Sequence, residues 1–264
     1  MTRRSTGLSV LALILLLFGT FSVGSLAVEA PQVLQVSDPS YSATDRATIN
    51  QALTALENAL QERLPIPSFR LTARGWQDRE FAMYAAGRLE AAGFQTLIVQ
   101  GSTPDGLAST WILVGVPLEG NRTAWLPVNA FSSQDMSGRI GSIAWQTVAG
   151  GAFATEFTAP TSVIELSQNL LPTATFVVMG QVTPHTPASI HSTSQDRDGS
   201  IIAYVWQVNG EQVSASSSAY LSYSFPGANT YTVTLTVYDN RGGAATTSKS
   251  VKAEDQTDCG CNRP

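Results

Sequence analysis

The sequence predicts an α+β domain followed by an all-β sandwich, and three observations carry that prediction. Two helical periodicities come first and a series of strand-like runs follows, the order of an α+β unit. Beyond Leu170-Leu171-Pro172 the pattern changes to short alternating strands separated by turn residues, as a sandwich requires. Ahead of both, Thr2-Arg3-Arg4 leads into an apolar run from Leu8 to Phe21, which has the shape of an export signal and not of a folded element.

In chain order, Ser25 and Ala27 are small residues at the positions that favour cleavage after Ala27, so residues 1–27 are expected to be removed. Left uncut, the stretch from Leu8 is about 20 residues long and would serve as a membrane anchor. The first helix is expected over 42–64, where Ile49, Leu53, Leu56, Leu60 and Leu64 recur at three- and four-residue steps. Ser42 or Thr44 caps it and Pro65 stops it. A second helix runs over 78–92, with Phe81, Ala82, Ala85 and Leu89 on one face, Asp78 as its N-cap and Gly93 at its C-terminal end. Strands follow at 94–99, 110–116 and 123–128, separated by the turn-rich stretches 101–106 and 119–121. Residues 131–159 are rich in Gly, Ser, Thr and Ala, which predicts loops with one strand around 140–148. The first domain is thus expected at 31–166, the second at 172–253, and a disordered tail at 254–264.

Charge and cysteine usage exclude several functions. Lys and Arg number 15 against 20 Asp and Glu, a net charge of -5 that becomes more negative once Arg3 and Arg4 leave, so nucleic acid is not an expected partner. No second apolar run reaches bilayer length, which confines membrane contact to the N-terminal segment. Both cysteines, Cys259 and Cys261, sit in the tail, so neither core holds a disulfide or a thiol nucleophile. They are free to pair locally, to link chains into an oligomer, to bind a soft metal weakly, or to play no part.

In the second domain, Ser194-Gln195-Asp196-Arg197-Asp198-Gly199 leads into Ile201-Ile202-Ala203-Tyr204-Val205-Trp206, and Phe225-Pro226-Gly227 precedes the run Tyr231 to Gly242. In this order and spacing these residues resemble the polycystic-kidney-disease (PKD) domain family over 172–253. The resemblance implies an immunoglobulin-like β-sandwich with Trp206 in its core. The strand pattern agrees independently, since Tyr231, Val233, Leu235 and Val237 alternate with threonines as on a strand with one buried face. Where the family commonly carries Gly-Asp-Gly after its tryptophan, this chain has Asn209-Gly210, which suits a tight hairpin. Asp196 and Asp198 offer carboxylates to calcium, or else cap the turn. His185 and His191 lack partners at metal-ligand spacing and are expected at the surface.

In the first domain, Asp78-Arg79-Glu80-Phe81-Ala82, Ser109-Thr110-Trp111-Ile112 and Trp125-Leu126-Pro127-Val128-Asn129 resemble the three signature pieces of the papain-related transglutaminase-like fold. The resemblance is to a degenerate member. Asp78 stands where the family has its thiol nucleophile, Ser109 where it has its histidine, and Asn129 where it has its orienting carboxylate. Neither an Asp nor a Ser can replace a thiolate or an imidazole, and this region contains no Cys or His, so Cys-His-Asp and Ser-His-Asp catalysis are both excluded. Trp76, Trp111 and Trp125 are expected first to fill the core, where large aromatics dominate burial, and are candidates for a sugar- or peptide-binding surface if they cluster along the cleft.

The functional expectation is an exported protein, whether secreted, periplasmic or on the cell surface. It binds or adheres without catalysis, takes an extracellular protein or glycan, and needs no cofactor beyond calcium. One alternative is a hydrolase working through carboxylates among Asp78, Glu80 and Asp105. Another is a structural subunit joined through Cys259 and Cys261.

Overall fold

The structure is a computed structural model that describes residues 40–103, 105–130, 138–143, 145–148, 151–154 and 160–255, with 145–148 and 151–154 described by their backbone alone. The export segment 1–27 and the tail with Cys259 and Cys261 lie outside the described residues. Among the described residues, no helix is long and apolar enough to cross a membrane.

Helix α1 (Ala43–Leu60) starts where the sequence places it. Ser42 Oγ accepts from Asp45 N at 3.0 Å and the Asp45 carboxylate accepts from Ser42 N at 2.9 Å, a reciprocal cap. The helix buries Ile49, Leu56 and Leu60 but stops short of the expected Leu64. Leu64 N donates to Gly138 O at 2.7 Å, Ile140 N donates to Glu62 O at 3.0 Å, and Arg63 bridges to Arg139. This tertiary pairing takes the backbone groups that a further helical turn would need. A short helix, α2 (Ser68–Thr72), was not foreseen. Helix α3 (Asp78–Ala91) follows the predicted span, except that Gln77 and not Asp78 is its N-cap. Asp78 and Glu80 lie in its first turn, where the helix dipole favours carboxylates.

Strands β1 (Gln95–Ser102), β2 (Ala108–Leu118), β3 (Arg122–Asn129) and β4 (Ser142–Ile143) form an antiparallel meander. Strands β5 (Trp145–Val148) and β6 (Gly151–Ala154) make a separate hairpin. Strand β7 (Pro160–Ile164), also not foreseen, returns to the free side of β1, giving the sheet order β4-β3-β2-β1-β7. Ile112, Val114 and Val116 of β2 pack on the helix side, while Trp111 and Leu113 join Val99 on the other face. A strand buried on both faces reads as a continuous apolar run, as this one does.

The C-terminal unit comprises β8 (Phe176–Met179), β9 (Pro187–Ser192), β10 (Ile201–Val208), β11 (Glu211–Ser216), β12 (Tyr220–Ser224), β13 (Asn229–Asp239) and β14 (Ala244–Ala253). They form two facing sheets ordered β11-β10-β13-β14 and β12-β9-β8. Trp206 is fully buried between them, edge-on to Phe176 at 5.3 Å, and Tyr231, Val233, Leu235 and Val237 are buried as the alternation predicts. Asn209 and Gly210 make the β10–β11 turn with φ of 52° and 85°, the left-handed pair that this hairpin requires.

The two units are packed together. The β10–β13 register shifts between Ile201 and Ala203, a bulge, and both Ile202 and Ala203 join the core of the α+β unit. The β13–β14 turn rests on α3. A Cβ on Gly87 would overlap Arg241 O, and one on Gly242, whose φ is 83°, would overlap Tyr84 O. Only residues without side chains allow this approach. Arg88 donates to Gly242 O at 3.2 Å and pairs with Glu62 at 2.5 Å, and Arg74 donates to Ile202 O at 3.3 Å.

Candidate functional site

The N-terminus of α3 stands over the ends of β1, β2 and β7 and leaves a cleft of about 780 Å³ lined by Trp76, Gln77, Asp78, Arg79, Glu80, Gln100–Ser102, Ala108–Thr110, Thr161 and Ser162. On its floor Ser109 Oγ donates to Asp78 Oδ2 at 2.8 Å. Glu80 is held by its own helix, accepting from Gln77 N at 2.9 Å. Thr161 Oγ1 donates to Gln100 O at 3.2 Å and ties β7 to the cleft wall. Trp76 lines the cleft, half-buried, with Phe81 at 5.1 Å edge-to-face and Tyr84 at 6.0 Å.

Two of the three expected triad positions therefore meet. Asn129 does not join them: it pairs with Ser142 of β4 and is not among the cleft residues. The β2–β3 register sets Ile112 against Val128, so Asn129 falls beside Trp111, two residues from Ser109 and about 7 Å further along the strand. Of the three tryptophans, only Trp76 reaches the cleft. Trp111 is fully buried against Val99 and Leu113, and Trp125 packs half-buried on that same cluster, so both fill the core beside the sheet and neither lines the cleft. Gln100, Thr161 and Ser162 were not anticipated. The β-branched run after Pro160 was the available signal for β7, and it lies next to a stretch that reads as loop.

In the PKD-like turn the two aspartates have different surroundings. Asp198 pairs with Arg241 at 3.0 Å and accepts from Leu170 N at 3.1 Å, and Arg241 also contacts Ser167. Asp239 accepts from Arg241 N at 2.7 Å, Gly243 N at 2.8 Å and Asn169 Nδ2 at 3.0 Å. The segment joining the two units is thus fastened by the second one. Both carboxylate oxygens of Asp196 are buried without a hydrogen-bond partner. Burial, together with the nearby Asp239 carboxylate, holds Asp196 above the usual carboxylate range. Asp196 Oδ2 and Asn240 Oδ1 both crowd the place a Cβ of Gly199 would take, at 2.7 and 2.3 Å from it. Among the described residues, no three His, Cys, Asp or Glu side chains gather as a metal-binding group. His185 is exposed, and His191 stacks on Tyr220 at 4.2 Å.

A profile of the PKD domain family matches residues 169–253, and this part of the chain is a PKD domain. The pre-pro-metalloprotease PrtV of Vibrio cholerae is 36% identical over 63 residues, which is 24% of this chain but 7% of that protease. The PKD1 domain of Vibrio anguillarum Epp is 32% identical, covering 33% of this chain and 99% of that one, with a TM-score of 0.29. A structure of carbohydrate-binding modules from the β-sandwich superfamily is 26% identical over 34% of this chain and 37% of that one, with a TM-score of 0.32. The α+β unit lies outside the residues matched by the family profile.

Proposed function

We propose that this chain is an exported, non-catalytic binding protein. Its α+β unit is a transglutaminase-like domain without the Cys-His-Asp triad and takes an extracellular protein or glycan ligand in the α3 cleft. The PKD domain is an interaction module fixed to it. One observation carries the reading: the Asp78–Ser109 hydrogen bond lies at the floor of an open polar cleft, where a helix start meets a strand. A carboxylate and a hydroxyl beside it hold a ligand by hydrogen bonds, and the pair lacks the thiol and the imidazole that the family's acyl transfer uses. Export rests on the N-terminal segment and on the PKD domain, a kind of unit also present in the metalloprotease relative. The carboxylate-hydrolase alternative needs two acids facing each other across the cleft. Asp78 and Glu80 are the acids that line it, and they stand in one turn of one helix.

The test is the full chain, produced by an exporting host, assayed for binding to arrayed glycans and extracellular proteins and for turnover of amide, ester and glycoside substrates. Binding that Asp78→Ala weakens, without turnover, supports the reading. Turnover that Asp78→Asn abolishes sinks it.

A calcium site is a second proposal for the PKD turn, favoured by the orphaned oxygens of Asp196. The residues fit in part: Asp196 and the Asn240 amide oxygen are hard oxygen donors that both border Gly199, although Asn240 Oδ1 also accepts from Ser200 N at 2.9 Å, whereas Asp198 is already paired with Arg241. The expected calcium ligand is thus Asp196 without Asp198.

A further inference from the structure

We infer that the cleft takes a short neutral oligosaccharide, an inference that rests on the cleft being a binding site. Its walls carry hydroxyl, amide and carboxylate side chains, among them Asp78, Gln100, Ser109, Thr161 and Ser162, and offer no aliphatic hollow for a peptide side chain. Nor can a peptide be added as a strand to β1 at this point. Gln100 and Gly101 of β1 are already paired on both sides, with Thr110 and Ser109 of β2 and with Ser162 and Pro160 of β7. Anionic ligands are disfavoured by charge, since Arg79 is opposed by Asp78 and Glu80.

A pyranose has the matching chemistry. Its C–H face packs on an indole, and its hydroxyls both donate and accept. Trp76 in the lining is set in place by its edge contact with Phe81, so an aromatic surface is ordered before any ligand arrives. Asp78 is oriented through Oδ2 by Ser109, while its Oδ1 accepts from no protein group among the described residues and is free for a sugar hydroxyl.

The experiment titrates the full chain with cellohexaose, xylohexaose, laminarihexaose, mannohexaose and chitohexaose, with hexagalacturonate as the anionic comparison and a gelatin digest as the peptide comparison, by calorimetry and tryptophan fluorescence. The expected result is binding of at least one neutral hexaose, weakened at least tenfold by Asp78→Asn and by Gln100→Ala with the melting temperature unchanged. Ser109 can still donate to the amide oxygen in Asp78→Asn, so that variant keeps the floor of the cleft. Binding of the gelatin digest or of hexagalacturonate alone, sensitive to the same variants, overturns the neutral-sugar assignment and leaves the binding reading standing. Sugar binding that both variants leave intact lies elsewhere and also overturns it. No binding by any probe overturns the assignment and counts against the binding reading as well.

Discussion

Asp45 and Asp196 are acids that the fold constrains in opposite directions. Asp45 is buried, and its hydrogen bond from Arg122 at 2.7 Å, followed by that from Ser42 N, holds its carboxyl below the ordinary value of 3.8. A depressed folded-state value contributes stability that is present above the unfolded value and lost as pH falls through the folded one. The expected outcome is that the melting temperature of the wild type falls more steeply below about pH 4 than that of Arg122→Ala, read by thermal melts from pH 3 to 7. For Asp196 the sign reverses. Its raised value means that protonation favours the folded state, a contribution present below the unfolded value and lost as pH rises through the folded one. In chelator at neutral pH, Asp196→Asn is therefore expected to melt higher than wild type. Calcium should raise the wild-type midpoint and leave that of Asp196→Asn unchanged; a calcium shift that survives the substitution removes Asp196 from the site. At this scale the sequence disclosed residue types but not surroundings. Asp196 and Asp198 look alike two positions apart, and only the joining segment and Arg241 distinguish them. Trp111 and Trp76 look equally apt for a ligand until the strand parity of β2 buries one of them.

Elements whose reasons are local were legible, and those whose reasons are tertiary were not. Ser42 caps α1 through its own neighbours, and the alternation of β13 buries Tyr231, Val233, Leu235 and Val237 as written. The end of α1 and the existence of β7 depend instead on partners far along the chain, Gly138–Ile140 and β1. The β10–β11 hairpin is a local case with a measurable consequence. Gly210 has φ of 85°, and Asn209 Oδ1 accepts from Thr232 N at 2.9 Å, tying the turn to β13. Gly210→Ala is expected to lower stability by about 1–2 kcal/mol in urea melts, the cost of a side chain in left-handed backbone. Trp206→Ala is expected to lose roughly 3–5 kcal/mol, because it opens a cavity between the two sheets. Equal losses from the two changes would show that the sandwich core does not rest on Trp206.

Across the whole molecule, the two units share a core through Ile202, Ala203 and Tyr238, and Arg88 joins Glu62 to Gly242 O across the seam. Such coupling predicts a single transition in calorimetry of the full chain. Gly87→Val places bulk against Arg241 O and is expected to split that transition in two, one for each unit. A single unshifted transition in Gly87→Val would show that the seam is not a coupling element. The PKD match begins at residue 169, close to the change of strand grammar expected near Pro172, and the shared core means that this change in sequence is not a joint in mechanics. One trace of the seam is visible in the sequence: a glycine midway along α3 lowers helix stability by about 1 kcal/mol relative to alanine and calls for a packing reason.

The Gly87–Gly242 contact also bears on how such a chain can be inherited. A recombination event that moved residues 169–253 onto an unrelated partner would carry Gly242 but leave its counterpart behind, and almost any side chain facing it would hold the two bodies apart. Lineages descended from this chain are therefore expected to exchange the pair as one block and to keep glycine at both positions.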